Sequence, residues 1–257
     1  MMKYLKVVLA VSHHSLKEYC KNKLFAILII FSLFSIYASL LVGIMAMDQE
    51  FRVLTDFGLG LMELMAFVYI VYISAISITE EFNLKTIYLV LSRPVPKSAY
   101  LMGRMLSLFA LAAVILLFAG SFQLLLLKFR GFDFPHLYHK ILFLIWMKLV
   151  IISSITVFVS FISTSAITTV IISIMLWTLG HFAPETKFLI EKTQGLSQIF
   201  LKASSLLVPN FQIYNLKDYY DSGMTTHAGN FKAISYLFAW VFATFSFSAF
   251  IFRKKEF

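Results

Sequence analysis

Three stretches of this chain, residues 24–47, 105–127 and 233–252, contain no Asp, Glu, Lys or Arg. A hydrocarbon layer of ~30 Å is crossed by a helix of ~20 apolar residues, so each stretch predicts a membrane-spanning helix. A fourth, 57–79, carries a single charge at Glu63. A fifth, 149–184, is uncharged over 36 residues, more than the roughly 17–25 that one span needs. Splitting it at "FISTSA", and extending its first half back over the aromatic stretch that begins at Pro135, gives spans near 141–162 and 166–183. The expectation is an all-α integral membrane protein with six transmembrane helices. With 60% hydrophobic and 14% charged residues, the composition lies far from the balance of soluble chains.

Orientation follows from where Lys and Arg flank the spans. With the N-terminus inside, segments 1–23, 80–104 and 253–257 hold 12 basic residues, against 10 in segments 48–57, 128–148 and 184–232. The bias is clearest at "KEYCKNK" before the first span, "MDQEFRVLTDF" after it and the C-terminal "RKK". Both termini are therefore expected in the cytoplasm, in the plasma (inner) membrane. The net charge of +9 then belongs to juxtamembrane lysines facing anionic membrane lipids. No nucleic-acid partner is expected, because no basic stripe with interleaved aromatics lies outside the turns. The first hydrophobic run is longer than a signal-peptide core and lacks a small-residue cleavage site, so it reads as an anchor. Cys20 is the sole cysteine, which excludes an intrachain disulfide.

No linker or low-complexity tract divides the sequence, so residues 1–257 read as one polytopic membrane domain. Residues 3–23 predict an N-terminal interfacial helix, offering Tyr4, Val8, Val11 and Leu16 to lipid and Lys6, Lys17 and Lys21 to water. Before span six, Leu196, Ile199, Phe200, Ala203, Leu206 and Leu207 recur at helical spacing until Pro209, predicting a short external helix on the surface or packed against the bundle.

Between spans two and three lies a charged, proline-containing island, "ITEEFNLKTIYLVLSRPVPKSAY". Leu84, Ile87, Tyr88 and Leu91 fall at i, i+3, i+4 and i+7, on one face of a predicted helix, with Glu81, Lys85 and Ser92 off it. Pro94 ends that helix and pushes Arg93 out of the α region. Pro96 adds an extended step, and Ser98 is placed to cap the third span. A plain connector needs only a few residues; this one has the make-up of a docking element.

The run "EEFNLKTIYLVLSRPVPKSAYLMGRML" resembles the cytoplasmic stretch of ABC-transporter permeases of the type-2 export class. Glu80, Glu81, Thr86, Leu91, Ser92, Arg93, Pro94, Val95, Tyr100, Gly103 and Arg104 are the matching positions. Where the family usually has Gly before the Thr, this chain has Lys85. "LLVPNFQIYNLKD" is similar to the Pro-Asn segment that such permeases carry outside, before the last span. The resemblance implies that the island is a cytoplasmic coupling helix. Glu80, Glu81, Leu84, Ile87, Tyr88, Leu91, Arg93 and Pro94 would contact a separate ABC ATPase subunit, which binds ATP and Mg. A second permease copy, or a homologous one, would complete the pathway. No G-x-x-x-x-G-K-[ST] occurs here, so this chain has no phosphate-binding loop; it is expected to be non-catalytic, with no cofactor or metal of its own.

Glu63 is the candidate for a translocation pathway, since a charge within a span normally faces a cavity or a partner. The bland alternative is a protonated or snorkelling carboxyl near the outer interface. Three other functions remain in view. A membrane scaffold would dock a soluble partner through the same island. A secondary carrier or channel would show internal repeats or broken spans, which are not evident. An intramembrane CAAX-type metalloprotease is resembled through Glu80, Glu81, Lys85, Phe132 and His136, but the expected topology puts the acids and the histidine at opposite faces. His136 and His139, three residues apart, read as interfacial histidines.

Overall fold

The computed structural model describes residues 2–45, 50–85, 96–132, 137–215 and 227–254. Within them the chain is helical throughout, with no strand: α1 (Met2–Lys21), α2 (Lys23–Met45), α3 (Glu50–Asn83), α4 (Lys97–Phe129), α5 (Tyr138–Ile162), α6 (Ala166–His181), α7 (Ala183–Lys192), α8 (Leu196–Leu207), a 3-10 turn (Phe211–Tyr214) and α9 (His227–Lys254). Five of these helices are long and apolar enough to cross a membrane, or six if the bent pair formed by α6 and the end of α7 counts as one span. The chain thus has the make-up of a multi-pass membrane protein.

The centre of the bundle is α5, apolar on every side and covered by α3, α4, α6 and α9, as befits a helix with no polar face. Leu149, Ile151, Ile152 and Val157 are fully buried. Its hydroxyls need no outside partner: Ser153, Ser154, Thr156 and Ser160 donate to carbonyls three or four residues back, at 2.6–2.9 Å. Burying them therefore leaves no donor stranded. Ile30 and Phe34 on α2, Ile167 and Met175 on α6, and Phe238 and Phe242 on α9 point outward. Such extended apolar faces suit lipid and would be untenable in water.

The two ends of the bundle are held differently. At the end carrying α1, Phe82, Tyr100 and Phe161 crowd around Phe252 of α9, and the Lys97 ammonium lies over the Phe252 ring at 5.6 Å. At the opposite end, Arg130 pairs with Glu50 at 3.2 Å. There Gln123 Nε2 donates to the Leu54 and Thr55 carbonyls at 3.2 and 3.3 Å, and the Tyr138 hydroxyl donates to Gln123 Oε1 at 2.9 Å. A Cβ on Gly58 would sit 2.2 Å from that Gln123 amide nitrogen; the glycine makes room for the network joining α3, α4 and α5.

Several expectations are revised. The break at "FISTSA" is observed, with α5 ending at Ile162 and α6 starting at Ala166. The fifth span, however, does not run straight to residue 183: the helix ends at His181, and the chain bends by 68° into Glu185–Lys192. The face of α1 expected to meet lipid meets protein instead. Val8 is buried, and Val11 packs so tightly on α4 that a Cβ on Gly103 would lie 2.8 Å from it; Leu5 and Leu9 point outward in their place. Ser98 is not the cap of α4. That position is Pro96, whose carbonyl accepts from the Ala99 and Tyr100 amides. On α8, Leu196, Ile199, Leu206 and Leu207 remain exposed, so the apolar face of this helix is not covered by the bundle.

Candidate functional site

Glu63 lies on the covered side of α3, 8% exposed. Ten residues into α5, about 15 Å along its axis, stands Lys148, 4% exposed. Lys148 Nζ donates to Glu63 Oε1 at 2.8 Å. Two opposite charges are thus buried together inside the apolar bundle. Neither would be tolerated alone at this depth. Glu63 thus turns inward to a cation rather than out from the bundle.

The third member is His181, the last residue of α6. Its Nδ1 lies 2.9 Å from the Trp177 carbonyl; since a carbonyl only accepts, Nδ1 carries the proton. Nε2 lies 3.8 Å from the Glu63 oxygen that Lys148 also contacts. The carboxylate therefore sits between a lysine of α5 and a histidine at the point where α6 breaks.

The break falls where a proline, Pro184, stands in the first turn of α7, a residue that the interior of a continuing helix does not accommodate; the packing beside it is close. Gly180 faces the segment that follows α8, and a Cβ there would lie 2.5 Å from both the Pro209 carbonyl oxygen and the Phe211 ring. Only glycine admits so close a backbone approach. Trp177 stacks on Phe67 of α3, with centroids 4.4 Å apart and planes 18° apart, and contacts Phe211 at 4.8 Å. Phe67 is one turn beyond Glu63, so this aromatic column walls one side of the ion pair. The Pro-Asn segment is anchored by its own bonds. Asn210 N–H donates to the Tyr236 hydroxyl at 2.7 Å, Gln212 N–H donates to Asn210 Oδ1 at 3.0 Å, and the Tyr214 hydroxyl donates to the Ala233 carbonyl at 2.9 Å. Burial holds the Tyr214 hydroxyl neutral, its pKa raised above the usual phenol value.

A second polar cluster occupies the end that carries α1. Arg104, 4% exposed, donates from Nη1 to the Tyr19 hydroxyl at 2.9 Å and from Nε to the Tyr100 hydroxyl at 3.2 Å. It pairs with Glu81 of α3 and reaches Glu18 of α1 at 3.8 Å. The Tyr100 hydroxyl also donates to Glu81. Tyr19 is fixed in turn by the Tyr69 hydroxyl, which donates to its carbonyl at 2.8 Å. One guanidinium thereby ties α1, α3 and α4 together, using the several fixed donors that distinguish Arg from Lys.

The residues expected to contact a partner fall into three groups. Glu80 and Leu84 are exposed, Leu84 at 71%. Glu81 turns inward to Arg104 and Tyr100. Ile87, Tyr88, Leu91, Arg93 and Pro94 lie outside the described residues. Leu84 does not share a continuous helix with them: α3 ends at Asn83, and Lys85 adopts φ +56°, a left-handed turn that stops a helix and normally favours glycine. His136 also lies outside the described residues.

The sequence reading did not single out Lys148, which its span at 141–162 contains but its charge tally counted with the exterior segment 128–148, nor His181. A signal existed for the lysine: it interrupts "FLIWMKLVII", as Glu63 interrupts the run on α3. For His181 no local signal existed. Among the described residues, no group of three or more His, Cys, Asp or Glu side chains is placed to hold a metal ion. The Cys20 thiol, at the end of α1, is pushed up in pKa by burial, the reverse of what a reactive thiolate needs. The site therefore offers ionic and aromatic groups rather than a nucleophile. It can stabilise a charge that enters between α3, α5 and α6. No protein-family model matches the chain, and no curated protein matches it.

Proposed function

We propose that this chain is the membrane-spanning permease subunit of an ATP-driven ABC exporter of the type-2 class. The observation that carries the reading is the overhang of the α3–α4 hairpin. These helices have 34 and 33 residues, so each is about 50 Å long and exceeds the ~30 Å hydrocarbon layer by about 20 Å. Part of that excess lies at the end where Arg104 locks α3, α4 and α1 into one stiff base; the tip, residues 86–95, is the segment that connects the two helices in the sequence. A stiff base of this kind can carry motion from a soluble partner into the spans. Lys85 adds support: the position where the resembled family usually has glycine takes the conformation that glycine favours.

In this reading both termini face the cytoplasm, where an ATPase subunit binding ATP and Mg reaches Glu80, Leu84 and the tip. A second permease copy completes the pathway. Closure of the ATPases moves the base as a rigid body and tilts α3 and α4, an alternating switch between packed arrangements. Glu63, with Lys148, lies in the part of the spans that this motion rearranges. A passive scaffold could use the same overhang, but it has no need of a charge pair inside its spans. A CAAX-type protease is disfavoured by distance: Glu81 is at the α1 end, whereas Leu137, which follows His136 in the sequence, is the N-cap of α5 at the opposite end. Carboxylate and imidazole ligands must each come within ~2.0–2.2 Å of one zinc.

The test is capture of an ABC ATPase subunit from the same organism, after co-expression and solubilisation. Tyr88→Ala or Arg93→Glu should leave the protein in the membrane and weaken capture by roughly tenfold or more, as at an interface hot spot. His136→Ala should change nothing. Wild-type capture by both tip variants, or ATP turnover by the purified chain alone, defeats the proposal.

A further inference from the structure

A cavity of about 620 Å3 opens between α5, α6, α8 and α9, lined by Ile155, Phe158, Leu176, Leu206, Trp240 and Phe247 among others. Along α9 it extends from Tyr236 to Phe247, eleven residues or about 16 Å. That length matches one leaflet of a hydrocarbon layer ~30 Å thick. The few polar atoms in the wall are already bonded: the Tyr236 hydroxyl accepts from Asn210 N–H, and the Thr244 hydroxyl donates to the Trp240 carbonyl. Nothing inside the groove calls for a polar ligand, so its occupant is hydrocarbon.

The charge lies at one end. Lys232 stands one turn before Tyr236 on α9, and Lys202 one turn before Leu206 on α8; residues four apart share a helix face. Both lysines are exposed, and neither α8 nor α9 contains an Asp or Glu. A flexible chain with a negative end fits both the shape and the charge.

We propose that this groove holds an acyl chain of an anionic membrane amphiphile, with its headgroup at Lys202 and Lys232. Under the exporter reading, on which this further step rests, such amphiphiles are the substrate class, and the groove, at the exterior end of α9, is their way out to the lipid.

The test uses the intact chain in nanodiscs of phosphatidylcholine containing phosphatidylglycerol with a photoreactive acyl chain, followed by peptide mapping. Label should concentrate at groove positions such as Phe158 and Trp240 over the open face of α2 at Phe34. Ala243→Trp, which fills the groove, should remove the groove label and leave that at Phe34. Lys202→Gln with Lys232→Gln should lower groove labelling by about thirtyfold, the equivalent of two lysine contacts to an anionic surface. Both lysines are exposed, so this pair keeps the test decisive should the tryptophan variant not fold. The proposal is overturned by equal labelling of groove and α2, by equal labelling from a phosphatidylcholine probe, or by a disulfide between copies through Ala239→Cys. In the complex with its ATPase, phosphatidylglycerol should stimulate hydrolysis, and Ala243→Trp should abolish the stimulation without loss of capture. Stimulation that survives in that variant overturns the substrate assignment alone. Failure of capture by the wild-type chain overturns the exporter reading and not the groove.

Discussion

Removing one partner of the Glu63–Lys148 pair should be far more damaging than removing both. At the observed 2.8 Å, Coulomb attraction at an effective dielectric constant of ~20 is about 6 kcal/mol. Most of that offsets the desolvation of two ions, so the net worth of the pair is small. Lys148→Met leaves a buried carboxylate with the His181 imidazole at 3.8 Å and no ammonium beside it; Glu63→Gln leaves an ammonium among the apolar side chains of α5. Each single change should cost about 3–5 kcal/mol, whereas Glu63→Gln with Lys148→Met should fall within about 1 kcal/mol of the wild type. The assay is reversible unfolding in mixed detergent micelles, arranged as a double-mutant cycle, with transport measured on the same four proteins. A stable double variant that no longer transports assigns the pair to the pathway. Additive single effects, each under about 1 kcal/mol, would refute the reasoning, because they would mean that the two groups are hydrated and uncoupled.

Two further outcomes test local geometry. Lys85→Gly should raise the thermal midpoint, because a left-handed residue with a Cβ carries about 1–2 kcal/mol of strain and glycine recovers the larger part of it after its own entropic penalty; Lys85→Val should lower it. Gly180→Val should cost about 1–3 kcal/mol by overpacking and alter the Trp177 fluorescence, since the Pro209 backbone that its Cβ would meet cannot give way as a side chain end could.

The spans were legible because lipid imposes both length and the exclusion of charge, and those constraints act residue by residue. The break at "FISTSA" was legible for the same reason: 36 uncharged residues exceed one crossing. The bend after His181 was not, because hydropathy is the same whether an apolar helix runs straight or turns. Pro184, in the first turn of α7, marks where a helix stops but not the angle at which the next one leaves, and the contact of Gly180 with Pro209 is distant in sequence. Lys148 fell inside the expected span at 141–162 yet was tallied as a flanking charge, because hydropathy does not say which buried partner a lysine within a span would meet. The lipid-facing reading of α1 failed at Val8 and Val11, since periodicity marks an apolar face without saying whether protein or lipid covers it. Leu84 was expected on a helix but lies in the turn after α3, because a left-handed residue such as Lys85 leaves the spacing of apolar residues in the sequence intact. Arg104 was visible only as part of a motif, and the hydrogen bonds that explain it come from three helices.

The two buried clusters are linked by one element. Glu63 and Glu81 are eighteen residues apart on α3, which is five whole turns; both carboxylates therefore project from the same face, about 27 Å apart along the axis. One end of that face is bound to Arg104 of α4, the other to Lys148 of α5. A helix of this length, continuous and well buried from Leu54 to Thr79, cannot rotate at one end without rotating at the other. Packed interfaces of this kind shift between discrete arrangements rather than deforming smoothly. A displacement of the base that turned α3 by even a fraction of a residue spacing would move the Glu63 carboxylate off Lys148 and toward His181, or the reverse. The ion pair is thus the point in the spans where motion at the base would become a change in local charge, and the break between α6 and α7 leaves the helix end beside it free of a rigid continuation.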